Sequence, residues 1–512
     1  MHIGLAVHRN ATRNPEATAI FGEKSQTYGE LESRSNQIAN YLKSHDWGKG
    51  ERVAVLLPNR PEILELITAI SKSSLVYVGL NFRLGRTEMM QIFENCEPCA
   101  ILTDAEHLPQ IEQIANESSI PVFDISSSEW ETKIEQNSKA IPSSFYDIQP
   151  DDDFCIVYTS GTTGRPKGVL FDHKRVLQHA MIACLEYDIT LESRYLIQIP
   201  HNSSVNITIL PCVTVGAALG FADSRNFNPL HFAQQIKDHA VTHTFLVPTQ
   251  LMRLLEKLPE ENDKNLSTLV TLGYGSSPIS PKRLEELVER FGPIFNQLYG
   301  MAEIASIGTI LSKADHLKGL STDLKLLESC GRPSYGVHVR VIDENKQSIK
   351  PGSKGEVIFS GPHVMKGYFR DPVRTDQVLI DGWMHSGDIA EVDNEGFIYI
   401  VDRKKNLIIR GGLNIAPTEI ENVLYRHPDV LEAAVVGVPD SEWGEGIVAV
   451  VALHEGSGVT TDELLQLCNR SELTSIKVPE RIDIWDELPK NAVGKIAKNE
   501  IRTHFWGEGR QV

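Results

Sequence analysis

Residues 158–169 read Tyr-Thr-Ser-Gly-Thr-Thr-Gly-Arg-Pro-Lys-Gly-Val, the densest concentration of anion-binding chemistry in the chain. Gly161 and Gly164 let the backbone turn through φ > 0 and bring its N–H groups up to a bound anion. Ser160, Thr162 and Thr163, with Thr159 at the loop entry, supply hydroxyl donors, and Arg165 and Lys167 close the segment with positive charge. The spacing GxxxxGK[ST] is absent, so this is not a Walker loop. The apolar run Phe154–Tyr158 predicts a buried strand, which puts the loop at a strand end, where α/β proteins place ligands. A polyphosphate is the ligand that fits; the plain alternative is a flexible polar surface loop.

Other segments carry residue types suited to the same task. In Tyr299-Gly300-Met301-Ala302-Glu303, an aromatic followed by glycine lets a flat base stack where the backbone comes close. Glu303, four residues on, is suited to Mg2+ on phosphates, or else is a solvated surface carboxylate. Taken alone, Asp388, Arg403 and Lys495 read as loop or surface residues, His201 as a satisfied core histidine and Gly411-Gly412 as a β-turn.

In their order along the chain, these motifs resemble those of the adenylate-forming superfamily, which includes acyl-CoA synthetases, peptide-synthetase adenylation domains and firefly luciferase. The resemblance covers nearly the whole chain. It implies that Thr159 to Gly164 and Lys167 hold the pyrophosphate end of ATP. It also implies that Tyr299 packs on adenine, with Gly300, Met301 and Ala302 along the nucleotide and Glu303 binding magnesium. Ala302 stands where the family usually has Thr, at a cost of about 0.5–1.5 kcal/mol for one hydrogen bond; the aryl-acid activating branch also carries Ala there. Asp388 resembles the family's ribose-binding aspartate, since a carboxylate accepts from both hydroxyls at once. Arg403 matches the arginine that contacts ribose and phosphate, and Lys405 the hinge residue.

Pro489–Lys495 resembles the C-terminal PKxxxGK motif, which makes Lys495 the catalytic lysine. A mobile cation there offsets the repulsion between an incoming carboxylate and the α-phosphate. Arg410, Gly411 and Gly412 match the segment that replaces Lys495 beside the thiol acceptor once the small domain turns, although Leu413 stands where the family usually has Glu. His201 matches the residue at the mouth of the acyl pocket, with a catalytic and substrate-facing role. Asn202 follows it as in the aryl-acid activators, where Asn meets a ring hydroxyl. Ser276 and Ser277 resemble the loop lining the adenine and acyl sites, and serines there point to a smaller or more polar acid.

The scaffold for these residues is also legible. The chain has 512 residues, 41% apolar and 23% charged, as in ordinary globular proteins, and a net charge of −18. That charge argues against non-specific nucleic-acid or anionic-membrane binding. Thr208–Ala222 is apolar but interrupted by Pro and Gly, so it reads as buried core and not as a membrane span. Seven scattered cysteines and a start without a charged n-region lead to the expectation of a cytoplasmic protein with reduced thiols. Thr27 and Glu30 form a capping box; Val53–Leu57 and Phe245–Val247 read as strands feeding helices.

Such alternation implies an α/β fold with mostly parallel sheets. Short Gly- and Pro-punctuated runs from Ser329 to Asp402 imply a β-rich subdomain. The expected division is a large N-terminal domain, 1–404, and a small mobile α+β C-terminal domain, 405–512. The expected activity is an AMP-forming ligase that joins a small-molecule carboxylic acid to coenzyme A, using ATP and Mg2+. The alternatives are an adenylating enzyme that loads the phosphopantetheine of a separate acyl carrier protein, and a non-catalytic nucleotide-binding homologue. No nucleic-acid partner is expected.

Overall fold

The computed structural model describes residues 2–159, 165–410, 413–440, 443–471, 473–490 and 496–506. The chain forms two compact units. The first comprises Met1–Val339 with Phe359–His385, the second Arg340–Ile358 with Ser386–Val512.

The first unit is built on two large sheets. In the seven-stranded sheet the spatial order is Gly367–Tyr368, Lys167–Asp172, Asp153–Thr159, Val76–Leu80, Arg52–Leu56, Ala100–Thr103 and Val122–Asp124. From Asp153–Thr159 onward every pairing is parallel. A parallel sheet is covered on both faces, and the strands accordingly read as continuous apolar runs, such as Val53–Leu56, and not as alternating ones. Between them the chain crosses over through helices such as Glu62–Lys72 and Arg86–Cys96. The capping box at Thr27 opens helix Tyr28–Lys43: Thr27 Oγ1 accepts from Glu30 N at 3.2 Å and Glu30 accepts from Thr27 N at 2.8 Å.

The nine-stranded sheet runs Arg332–Pro333, Thr309–Leu311, Phe295–Tyr299, Thr271–Gly275, His243–Leu246, Arg194–Ile197, Ala218–Phe221, Thr18–Ile20 and Gln26–Thr27. Its central strands pair in parallel, with antiparallel pairs at both edges. Thr208–Ala222 is core, as its composition predicts: it includes the buried helix Leu210–Val215 and strand Ala218–Phe221. No helix among the described residues is long and apolar enough to cross a membrane.

In the second unit the β-rich character read from Ser329 to Asp402 appears as strands His338–Ile342, Lys354–Ser360 and Ile398–Arg403, together with Trp383–Val392. The division between units falls within several of these strands. Lys404–Asn406 is a short 3-10 turn between Ile398–Arg403 and Ile408–Arg410. The rest of the unit is an α+β assembly around the antiparallel pair Val430–Asp440 and Gly444–Leu453. Period-2 alternation splits that pair cleanly. Ala433, Val435, Ile447, Ala449 and Val451 enter one core, and Ala434, Val436, Val448, Val450 and Ala452 the other.

Candidate active site

Parallel strands align their carboxyl ends along one edge of a sheet, and ligands of α/β proteins bind at that edge. In the nine-stranded sheet this places Gln198–Asn202, Ser276 and Tyr299 at the ends of three parallel strands. The backbone there is tightly folded. Ser276 has φ 77°, a left-handed conformation that non-glycine residues rarely adopt. A Cβ on Gly275 would lie 2.5 Å from the Leu298 carbonyl oxygen, and one on Gly300 only 2.1 Å from that of Ser306. Gly300 is therefore required by the chain folding back on itself: Ser306 N donates to Met301 O and Gly308 N to Tyr299 O, both at 2.9 Å. The Tyr299 ring lies 6.0 Å from Phe359. Ser276 and Ser277 are exposed.

The anion loop joins Asp153–Thr159 to its antiparallel neighbour Lys167–Asp172, with Thr159 opposite Lys167. Strand Asp153–Thr159 ends where the loop begins, as expected, and Lys167–Asp172 returns beside it. Gly168 lets the return strand pass the Ile156 and Tyr158 side chains, which a Cβ would meet at 2.8 and 3.0 Å.

Glu303 is 7% exposed, not a solvated surface group. Its carboxylate accepts a hydrogen bond of 2.6 Å from the Tyr368 hydroxyl. Burial, then the adjacent Glu303 charge, push the Tyr368 pKa up, so its proton stays available for donation. The Lys167 ammonium sits 5.2 Å from the centroid of the same ring. Tyr368 is fixed by backbone pairing opposite Val169 on the return strand, while Met365 N donates to Glu303 O at 2.8 Å. One tyrosine thus connects the phosphate-loop lysine to the carboxylate expected to hold magnesium. Tyr368 lies 65 residues from Glu303, and no spacing in the sequence joins them.

His201 is 1% exposed and has both ring nitrogens engaged. Nε2 donates to the Leu57 carbonyl at 2.9 Å, so Nδ1 is the acceptor for the Tyr77 hydroxyl at 2.6 Å. Its backbone N donates to Asn59 Oδ1 at 2.9 Å. Burial lowers the ring's pKa to about 4. The ring is therefore neutral, with both nitrogens engaged. The Asn59 contact fixes the start of helix His201–Ser204, which carries Asn202. Asn202 Cα packs on Gly79, where a Cβ would meet it at 3.2 Å.

In the second unit, Asp388 is 5% exposed and directly opposite Arg403 in register. Arg403 Nε donates to Asp388 Oδ1 at 3.0 Å. Arg410 pairs with Glu480 at 2.6 Å and lies over the Trp443 ring. Ser160, Gly161, Thr162, Thr163, Gly164, Gly411, Gly412 and Lys495 lie outside the described residues, as does the side chain of Lys405. Among the described residues no three His, Cys, Asp or Glu side chains form a metal cage. A single buried carboxylate such as Glu303 suits Mg2+, which takes one or two protein carboxylates and completes its shell with phosphates and water.

Residues 7–369 match the model of the AMP-binding enzyme family and residues 419–495 that of the AMP-binding enzyme C-terminal domain. The chain is 35% identical over 508 residues to a feruloyl-CoA synthase of an Amycolatopsis species, covering 97% of this chain and 98% of that protein. It superposes on the amide bond synthetase McbA of Marinactinospora thermotolerans with a TM-score of 0.88 at 28% identity, over 98% of this chain and 100% of that one. The o-succinylbenzoate CoA synthetase of Bacillus subtilis, solved with its acyl-adenylate intermediate, gives a TM-score of 0.85 at 30% identity, over 99% of this chain and 98% of that one.

Proposed function

The chain belongs to the AMP-binding enzyme family, and on that premise we propose how its own residues carry out the AMP-forming ligation of a carboxylic acid to coenzyme A. In the first half-reaction a carboxylate oxygen attacks the α-phosphorus of ATP, the bond to the bridging oxygen breaks, and pyrophosphate leaves. In the second, the CoA thiol attacks the acyl carbon and AMP departs with the electron pair. Splitting the reaction replaces hydroxide, a poor leaving group, with AMP.

The observation that carries this reading is the Lys167–Tyr368–Glu303 chain. It places a cation over the ring whose hydroxyl holds a buried carboxylate, at the strand that follows the loop. Thr159, the loop's N–H groups and Lys167 hold the β- and γ-phosphates. Glu303 would hold Mg2+, which when bound would supply charge neutralisation at the phosphates. Tyr299 stacks on the adenine, and Ser276 lines its pocket. Asp388 accepts from the ribose hydroxyls, and Arg403, already bound to it, contacts ribose and phosphate.

Lys495 bridges the carboxylate and α-phosphate during adenylation. Rotation about Lys405, at the boundary between a domain of 1–404 and one of 405–512, then exchanges it for Arg410–Gly412 beside the thiol. His201 fixes Asn202, which with Ser277 faces the acid. The protein acts in the cytoplasm. Pyrophosphate release dependent on acid, MgATP and CoA together tests the reading; release that ignores CoA would transfer the acceptor role to a carrier protein.

A further inference from the structure

The segment that carries Asn202 continues into a polar group that the reaction above does not use. Asn206 is four residues further on, in a π-helical turn, Val205–Ile209, of the kind often found at functional sites. It is 5% exposed, and its Oδ1 has no hydrogen-bond partner. Helix His173–Tyr187 packs against this turn and brings in His179, fully buried with neither ring nitrogen hydrogen-bonded. The Asn206 carbonyl is near enough to favour the ring's charged form, but not in hydrogen-bonding geometry.

The third member comes from the segment that holds Tyr368. His363 is fully buried, its ring centroid 6.5 Å from that of His179. Its Nε2 donates to the Ile307 carbonyl at 3.0 Å, leaving Nδ1 as an unused acceptor. Ile307 lies four residues past Glu303, so the loop of the active-site carboxylate also anchors this histidine. Buried polar atoms are nearly always hydrogen-bonded, and each one left alone carries its full desolvation cost. Both nitrogens of His179, Nδ1 of His363 and Oδ1 of Asn206, left so within one neighbourhood, call for a ligand.

We propose that His179, Asn206 and His363 form the far wall of the acid pocket and hydrogen-bond a neutral polar substituent, such as a phenolic hydroxyl, at the end of the acid remote from its carboxylate. The proposal rests on the reading that Asn202 faces the acid. Charge decides against a second carboxylate. Burial, reinforced by each other's proximity at His179, holds the pKa of His179 at about 3, and burial holds that of His363 at about 4, so both rings stay neutral. Arg175, one turn before His179, is committed to Asp172 and to the Val364 carbonyl. A carboxylate would arrive there without a counter-charge. A hydroxyl can donate to an imidazole nitrogen or the amide oxygen and accept from an imidazole N–H.

The test is kcat/KM for pyrophosphate release with MgATP and CoA on matched acids: cinnamate with 4-hydroxycinnamate, benzoate with 4-hydroxybenzoate, and glutarate. The wild-type protein and His179→Leu, Asn206→Leu and His363→Leu are compared, with melting temperature confirming that each is folded. The expected result is at least a tenfold wild-type preference for the hydroxylated member of one pair. The variants should remove that preference through the KM for the acid, with the KM for ATP unmoved. A variant that fails to fold is replaced by His179→Gln, which keeps a donor and an acceptor and should restore part of the preference. Turnover without preference, a preference for glutarate, or variants that slow both members of a pair equally would overturn the proposal alone. Absence of turnover with every acid would overturn it together with the reading on which it rests.

Discussion

Replacing Tyr368 by Phe removes one oxygen and leaves the ring over which Lys167 sits. The lost hydroxyl makes a 2.6 Å hydrogen bond to a carboxylate that is 7% exposed. Hydrogen bonds to charged groups contribute about 1.5–3 kcal/mol, and an acceptor stranded in the interior costs a similar amount. Outer-shell partners of metal-binding carboxylates typically change metal affinity by about 10- to 100-fold when removed. Tyr368→Phe should therefore raise the Mg2+ concentration needed for half-maximal pyrophosphate release by about one to two orders of magnitude. The KM for the acid should stay put. A second readout is independent of turnover: the stabilisation of the protein by ATP, measured as melting temperature across a Mg2+ titration, should shift to higher Mg2+. Tyr368→Leu removes the ring as well and should further weaken ATP binding through Lys167. An unchanged Mg2+ dependence in Tyr368→Phe, with a folded protein, would refute the link between this tyrosine and the metal carboxylate.

Tyr77→Phe strands His201 Nδ1 and should cost about 1–3 kcal/mol in urea unfolding while raising the KM for the acid more than that for ATP; equal effects on both would argue against a role confined to the acid wall. Gly300→Ala drives a Cβ into the Ser306 carbonyl, and overpacking of this kind costs about 1–3 kcal/mol, so ATP affinity should fall; a melting curve and ATP titration matching wild type would contradict the close backbone crossing. His173, His179, His201, His316 and His363 are buried with pKa values lowered to about 3 or 4. Between about pH 6.5, where the unfolded histidines titrate, and about 4, the unfolded chain binds more protons than the folded one. Stability should accordingly fall with falling pH, by about 1.4 kcal/mol per unit per histidine, and urea midpoints that stay level from pH 7.5 to 5.5 would contradict the assignment. Lys495→Ala should abolish acyl-AMP formation yet leave thioester formation from supplied acyl-AMP largely intact; equal loss of both half-reactions would remove its assigned part.

What was legible in the sequence is what depends on local pattern. Apolar runs such as Val53–Leu57 and Phe154–Tyr158 mark parallel strands because both sheet faces are covered, and Thr27 with Glu30 marks a helix start through two reciprocal hydrogen bonds. The hairpin after the anion loop was not legible, because the loop's glycines are equally at home before a helix or a strand. The burial of Glu303 and its tyrosine were hidden for a different reason: a hydrogen bond across 65 residues leaves no periodicity. The partners of His201, the Tyr77 hydroxyl and the Leu57 carbonyl, arrive from distant segments, so no local pattern announces them. The polar group of His179, Asn206 and His363 is likewise assembled from three separate segments, and only the fold brings it together.

The most direct test of the central claim is pyrophosphate release with MgATP across short, medium and long fatty acids, benzoates, cinnamates and small dicarboxylates, each with and without CoA. Steady turnover that requires CoA is expected for at least one acid of the panel. A single-turnover burst unaffected by CoA, or no release with any acid, would contradict it.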